Sequence, residues 1–197
     1  VKKRILAGVA IALTAALAAP TVPQASAAGD PTKTLAQILT AGGVGFDNNP
    51  NDYDIVTAAV IALKLDGVAA DPSQNLTVFL PTDFAFRRLA RDLGVRGPLS
   101  EQAIFDVLAK NPLLERIVKY HVIVGKRVTS QAAASLAGQP VTMFSGDSLT
   151  PQVRGRNTLF LRDGATRLSD PRVLVINIQA SNGIAHGISR VLMPVNP

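Results

Sequence analysis

The chain offers few groups with chemistry in them. Its two histidines are His121 and His186, and it has no cysteine. A zinc site needs three or four Cys, His or carboxylate ligands at fixed spacing. Both rings are therefore expected to be buried or half-buried, fixing a loop or strand end by hydrogen bonds. Ser148, in Gly146-Asp-Ser-Leu149, is a candidate acyl-transfer nucleophile, which needs a base His held in turn by an acid. The residues three before the histidines are Val118 and Gly183, so neither His has that acid. The Ser145–Ser148 stretch also reads as an ordinary turn. Asp83, beyond Pro81 and Thr82, is expected to cap its own helix. There the helix dipole would hold it ionised, the wrong state for a general acid. Arg154, Arg156, Arg162, Arg167 and Arg172 are the basic concentration, read either as solvated strand faces or as an anion-contacting patch.

These residues need elements to hold them. Helical spacing predicts a short helix over 34–41 and a better one from Asp52 or Tyr53, stopped by Gly67. Leu76–Leu80 is a short run of β-formers, a buried strand ended by Pro81, which has no N–H to donate. Thr82 or Asp83 starts a helix to about Leu93. Further helices are expected over Glu101–Lys110, from Asn111-Pro112 into Tyr120-His121, and from Thr129 or Ser130 to Gly138. After Gly138 strand-like runs follow: 141–144, 149–153, 158–161, 173–178 and 184–193. Helices first and strands later give α+β, and one first-half strand must join the later sheet.

The chain has 197 residues, with 20 Lys+Arg against 14 Asp+Glu. Residues 1–27 read as a secretory signal peptide: basic Lys2-Lys-Arg4, an uncharged Ala/Leu run, and Ala25-Ser-Ala27 before a cut at Ala28. Residues 28–33 form an N-terminal tether and 34–197 a single domain. Loss of Lys2, Lys3 and Arg4 leaves 17 basic against 14 acidic residues, a net of +3. With no Lys/Arg block, no aromatic interleaving and no Trp, a nucleic-acid partner is not expected. No membrane span is expected after signal cleavage, nor any cofactor.

Two islands bracket the domain: Thr77-Val-Phe-Leu-Pro-Thr-Asp-Phe-Ala-Phe86 and Asn182-Gly-Ile-Ala-His-Gly-Ile-Ser-Arg-Val-Leu-Met-Pro194, with Tyr120-His121 between them. In this order they resemble the signatures of the fasciclin (FAS1) domain family. The matching positions are Thr77, Phe79, Pro81, Thr82, Asp83, Phe86, Tyr120, His121, Asn182, Gly183, His186 and Pro194. The resemblance implies an α+β fold, a β-wedge of two short sheets with several helices packed on one side. It also implies a non-enzymatic adhesion module, secreted and extracellular or wall-associated, that acts as a monomer on an extracellular protein or surface glycan. In that frame Asp83 and His121 are expected to lie together and lock the helix start to the Tyr-His segment. Gly187 stands where the family usually has a β-branched residue, and Ser189 where Asp is common. The segment 46–54 resembles a longer loop of bacterial members. Val1 as a literal GTG start, with the Ala-rich composition, suggests a bacterial gene. Gly146–Leu149 is similar to the GDSL esterase signature, whose Ser stands early in an α/β chain. A secreted esterase using Ser148 is therefore one alternative, and a glycan- or wall-polymer-binding protein using the Arg154–Arg172 patch is another.

Overall fold

The computed structural model describes residues 25–26, 29–47 and 49–197. Most of the expected signal segment lies outside them, and its Ala25–Ser26 pair forms the first strand. In chain order the elements are β1 (Ala25–Ser26), α1 (Leu35–Leu39), α2 (Asp54–Ala62), α3 (Asp66–Ala70), β2 (Leu76–Pro81), α4 (Asp83–Asp92), α5 (Glu101–Leu108) and α6 (Leu114–Tyr120). Then follow β3 (Val122–Val124), α7 (Ser130–Ser135), β4 (Val141–Thr142), β5 (Ser148–Arg154), β6 (Thr158–Arg162), β7 (Val173–Ala180) and β8 (Gly183–Ile188).

Two sheets form the wedge. The larger has the order β1-β7-β8-β2-β3 and the smaller β4-β5-β6. At the centre of the larger sheet β2 and β8 run parallel in unbroken register, Leu76 opposite Gly183 through Pro81 opposite Ile188. The two islands of the sequence are thus neighbouring strands. Side chains alternate across β2. Leu76 and Leu80 enter a core beneath the helices with Ile55, Phe86, Ile104 and Ile117. Phe79 enters a second core between the sheets with Tyr120, Leu149, Leu161 and Ile188. Helix α7 joins this second core through Ala133 and Ala134, while α1, α2 and α4–α6 contribute to the first.

Strand β7 serves both cores because it is bulged. Its register with β8 shifts between Val175 and Ile178, and Asn177 takes φ +57°. An extra residue in one strand turns the following side chains over. Ile176 therefore reaches the second core and Ile178 the first.

Three local outcomes differ from the sequence reading. The helix expected to run to Gly67 ends at Ala62 and Gly67 lies inside α3. Lys64 at φ +56° makes the break, with the Leu65 N–H bonded to Val60 O at 2.9 Å and the Lys64 N–H to Ile61 O at 2.9 Å. That is a Schellman closure with lysine where glycine is usual, so the sequence carries no stop signal there. Helix α6 begins at Leu114 rather than at Pro112, because the Asn111 side chain first makes a turn to the Leu113 N–H at 2.9 Å. Strand β3 was not expected: it is three residues long and pairs with β2 from Leu76–Val124 to Val78–Val122.

Gly183 sits where the helices press on the central pair. A Cβ there would lie 2.6 Å from Leu35 Cδ1 and 2.7 Å from Leu76 O. Gly183→Ala is expected to lower stability by ~1–3 kcal/mol, the usual range for overpacking a filled core. Urea unfolding checks this, and an unchanged midpoint would show slack in the central register.

Candidate functional site

The motif side chains face inward, and each polar one closes a backbone gap. Thr77 is fully buried. Its hydroxyl donates to Lys126 O at 2.7 Å and accepts from the Val128 N–H at 2.8 Å, tying the segment after β3 to β2. Asn182 is fully buried in the β7–β8 turn. Its amide donates to Ala69 O (2.8 Å) and Asp71 O (2.9 Å) and accepts from the Leu35 N–H (2.9 Å). One side chain thereby joins the end of α3, the start of α1 and the central sheet. The Tyr120 hydroxyl donates to Ser148 O at 2.7 Å across the second core, and burial raises its pKa.

The two rings use both nitrogens on main chain, in opposite tautomers. His121 Nδ1–H donates to Ile117 O at 2.8 Å and its Nε2 accepts from the Leu192 N–H at 2.9 Å. His186 Nε2–H donates to Val128 O at 2.9 Å and its Nδ1 accepts from the Asn177 N–H at 3.3 Å, which pins the bulge. His186 also stacks on Phe79, centroids 5.7 Å apart. Burial lowers both pKa values, that of His121 to about 4. The expectation of buried, hydrogen-bonded rings holds. The expected link between Asp83 and His121 does not: the ring bonds Ile117 and Leu192, and the carboxyl turns to another helix.

Asp83 is fully buried but does not cap α4. Thr82 is the N-cap of that helix and its hydroxyl makes no capping bond. The Asp83 carboxyl instead accepts from Asp54 N–H (3.1 Å) and Ile55 N–H (3.0 Å) at the start of α2. In return Asp83 N–H donates to Asp52 O at 3.1 Å and Phe84 N–H to Pro50 O at 2.8 Å. Two helix starts cap each other through one loop, a long-range arrangement no local pattern announces. Nor is the group held ionised. Burial first, and then the Asp52 carboxyl beside it, raise its pKa to about 8 against the two N–H bonds.

The catalytic candidate finds no machinery. Ser148 is exposed at the start of β5, Asp147 is paired with Arg116 and Ser145, and neither imidazole has a free nitrogen to act as base. The five arginines are all exposed. Arg154 and Arg162 share the outer face of the β5–β6 pair and line an open depression with Phe160, Asp163 and Asp170. Arg154 lies 4.9 Å from the Phe160 ring centroid and is ion-paired to Asp170. Arg172 meets Phe160 through an isolated bridge, whereas Arg156 sits in the β5–β6 turn and Arg167 bonds Asn196 through its N–H. The two acids in the depression offset its cations. A second, shallow depression is almost wholly apolar and is lined by Val60, Val68, Val78, Val122, Phe144 and Lys119.

A family model of the fasciclin domain matches residues 51–194. This chain belongs to the fasciclin domain family. Fasciclin domains are generally non-enzymatic binding modules of extracellular or surface proteins. Two relatives come from Synechocystis sp. (strain ATCC 27184 / PCC 6803 / Kazusa). Protein sll1483 is 26% identical over 168 residues, 85% of this chain and 77% of that protein. Protein sll1735 is 25% identical over 146 residues, 72% of this chain and 89% of that protein. The FAS1 domain pair of the insect cell adhesion molecule fasciclin I shares the fold, with a TM-score of 0.61 at 14% identity, over 87% of this chain and 59% of that one. The two departures from the fasciclin pattern have local compensations. A Cβ on Gly187 would lie 2.7 Å from the Tyr53 hydroxyl, so the loop tyrosine fills that space. Ser189 Oγ accepts from the Arg172 N–H at 2.9 Å.

The His121 pKa has a signed consequence. Its folded value of about 4 lies below the unfolded value near 6.5, so the unfolded chain takes the proton first. This group's share of stability is full above pH 6.5 and is lost as pH falls toward 4, on the order of 3 kcal/mol over the window. NMR of the imidazole carbons is expected to show a neutral His121 from pH 7 down to 5. A midpoint near 6.5 would mean that the ring is open to water.

Proposed function

We propose that this fasciclin domain is a secreted, non-enzymatic adhesion or binding module. It acts as a monomer at the cell surface or wall on an extracellular protein or surface glycan. The observation that carries the reading is the use made of the signature side chains. Except for half-buried Thr82 they are buried, and their polar groups are committed to the main chain. Such residues build a rigid wedge and leave contact with a partner to the surface. The basic, apolar and small-residue order of residues 1–27 supports export, and no helix among the described residues is long and apolar enough to cross a membrane. Asp170 beside Arg154, and the lack of a base for Ser148, favour neither alternative.

Two measurements test the reading. The purified protein is expected to sediment with isolated envelopes of the bacterium that makes it, and to hydrolyse p-nitrophenyl acetate no faster than its Ser148→Ala variant. Fluorophosphonate labelling of Ser148, or a protein that stays wholly in the supernatant, would overturn it.

A further inference from the structure

The loop before α2 meets the starts of α4 and α5 at a group of carboxyls. Asp83 and Glu101 are fully buried, and one oxygen from each of Asp54, Asp83 and Glu101 lies within 4.8 Å of the others. Arg87 of α4 meets Glu101, its Nη2 3.0 Å from Oε1. Asp83 has different company. Its two oxygens accept the Asp54 and Ile55 N–H groups, and the Asp52 carboxyl stands in hydrogen-bonding contact with its own.

Ionised carboxylates only accept, so two of them in contact repel. One proton between them turns that contact into an O–H···O bond, as in a carboxyl dyad. Asp52 Oδ1 shows why the proton is needed. It has less than 1 Å² exposed to solvent and meets no ordinary hydrogen-bond donor. A buried acceptor without a donor forfeits its hydration for nothing, and a neutral Asp83 carboxyl is the donor beside it. The surrounding charges act the same way. Asp52 and Asp54 face Asp83 from the loop and the start of α2, and Glu101 faces it from α5. Exposed Asp47 adds its charge beside Asp52 and Asp54, half-buried Tyr53 is neutral, and the cation Arg87 meets Glu101.

We propose that Asp52 and Asp83 share one proton, and that this proton latches the 47–54 loop to the paired starts of α2 and α4. With the proton in place, Asp83 N–H reaches Asp52 O, Phe84 N–H reaches Pro50 O, and the Tyr53 hydroxyl lies over Gly187. When it leaves, two anions stand in contact away from water. Residues 47–52 belong to neither core, so the loop yields first and the wedge stays folded. The folded chain binds this proton more tightly than the unfolded one, whose carboxyl titrates near 3.8. The stability it contributes is therefore full below pH 3.8 and is lost as pH rises through about 8.

In the full chain, the Asp83 carboxyl carbon followed by NMR is expected to titrate at about pH 8. Asp52→Asn puts an amide donor where the proton stood. It is expected to lower that midpoint by at least ~1 pH unit and to flatten the fall in melting temperature across it. The chain has no Trp and two Tyr, and Tyr120 lies in the second core, so tyrosine emission reports on Tyr53 in the loop. Acrylamide quenching of that emission is expected to rise as pH passes about 8 and to stay flat in Tyr53→Phe. An Asp83 midpoint in the ordinary carboxylate range, or one that Asp52→Asn leaves in place, would overturn the shared proton. Quenching that stays flat in the unaltered protein while Asp83 titrates would overturn the latch.

Discussion

The parallel register of Leu76–Pro81 against Gly183–Ile188 is the constraint on which the wedge depends. The two strands are about a hundred residues apart in the chain, so their pairing closes a long loop at a large entropic cost. Side chains from both strands offset that cost. One face of the pair feeds the core under the helices and the other the core between the sheets, so neither core exists without it. A slip of one residue would exchange Phe79 for its neighbours across the sheet and empty both cores at once.

Polar side chains then sharpen what apolar burial leaves loose. A buried N–H or C=O without a partner is destabilising by ~1–3 kcal/mol, so a buried Thr, Asn or His that satisfies two or three of them selects one arrangement among many compact ones. Asn182 does this for α1 and α3, Thr77 for the segment after β3, His186 for the bulge of β7, and His121 for the chain leaving β8. The same logic explains why these groups are poor catalysts. Reactivity needs a ring nitrogen or carboxyl facing a substrate, and here every one of those atoms on the histidines already faces backbone.

The acidic corner follows a different logic. The loop that carries Asp47, Asp52 and Asp54 places its Tyr53 hydroxyl in the space Gly187 leaves, and lends its carbonyls to the start of α4. Its position is therefore tied to the central strands, and its Asp52 and Asp54 carboxylates are delivered to Asp83 whether or not the local electrostatics favour them. Burial and the neighbouring Asp52 carboxyl then raise the Asp83 pKa, so packing holds the group against its own repulsion.

Element types and the α+β order were legible in the sequence, because hydrophobic period and turn residues act over a few neighbours. So was the fate of His121 and His186, since a chain without cysteine and without acids three before them gives those rings little to do but bond main chain. The Schellman closure at Lys64, the three-residue β3 and the bulge at Asn177 were not legible, because each uses a residue type that local propensity does not favour there and tertiary contacts hold it. Asp83 marks the boundary most clearly. The sequence determined that a carboxylate would meet a helix start; only the folded chain decided that the helix is α2, 29 residues earlier, with Asp52 alongside. Capping is a contact between atoms, and a sequence specifies its chemistry without specifying which distant backbone the fold brings within reach.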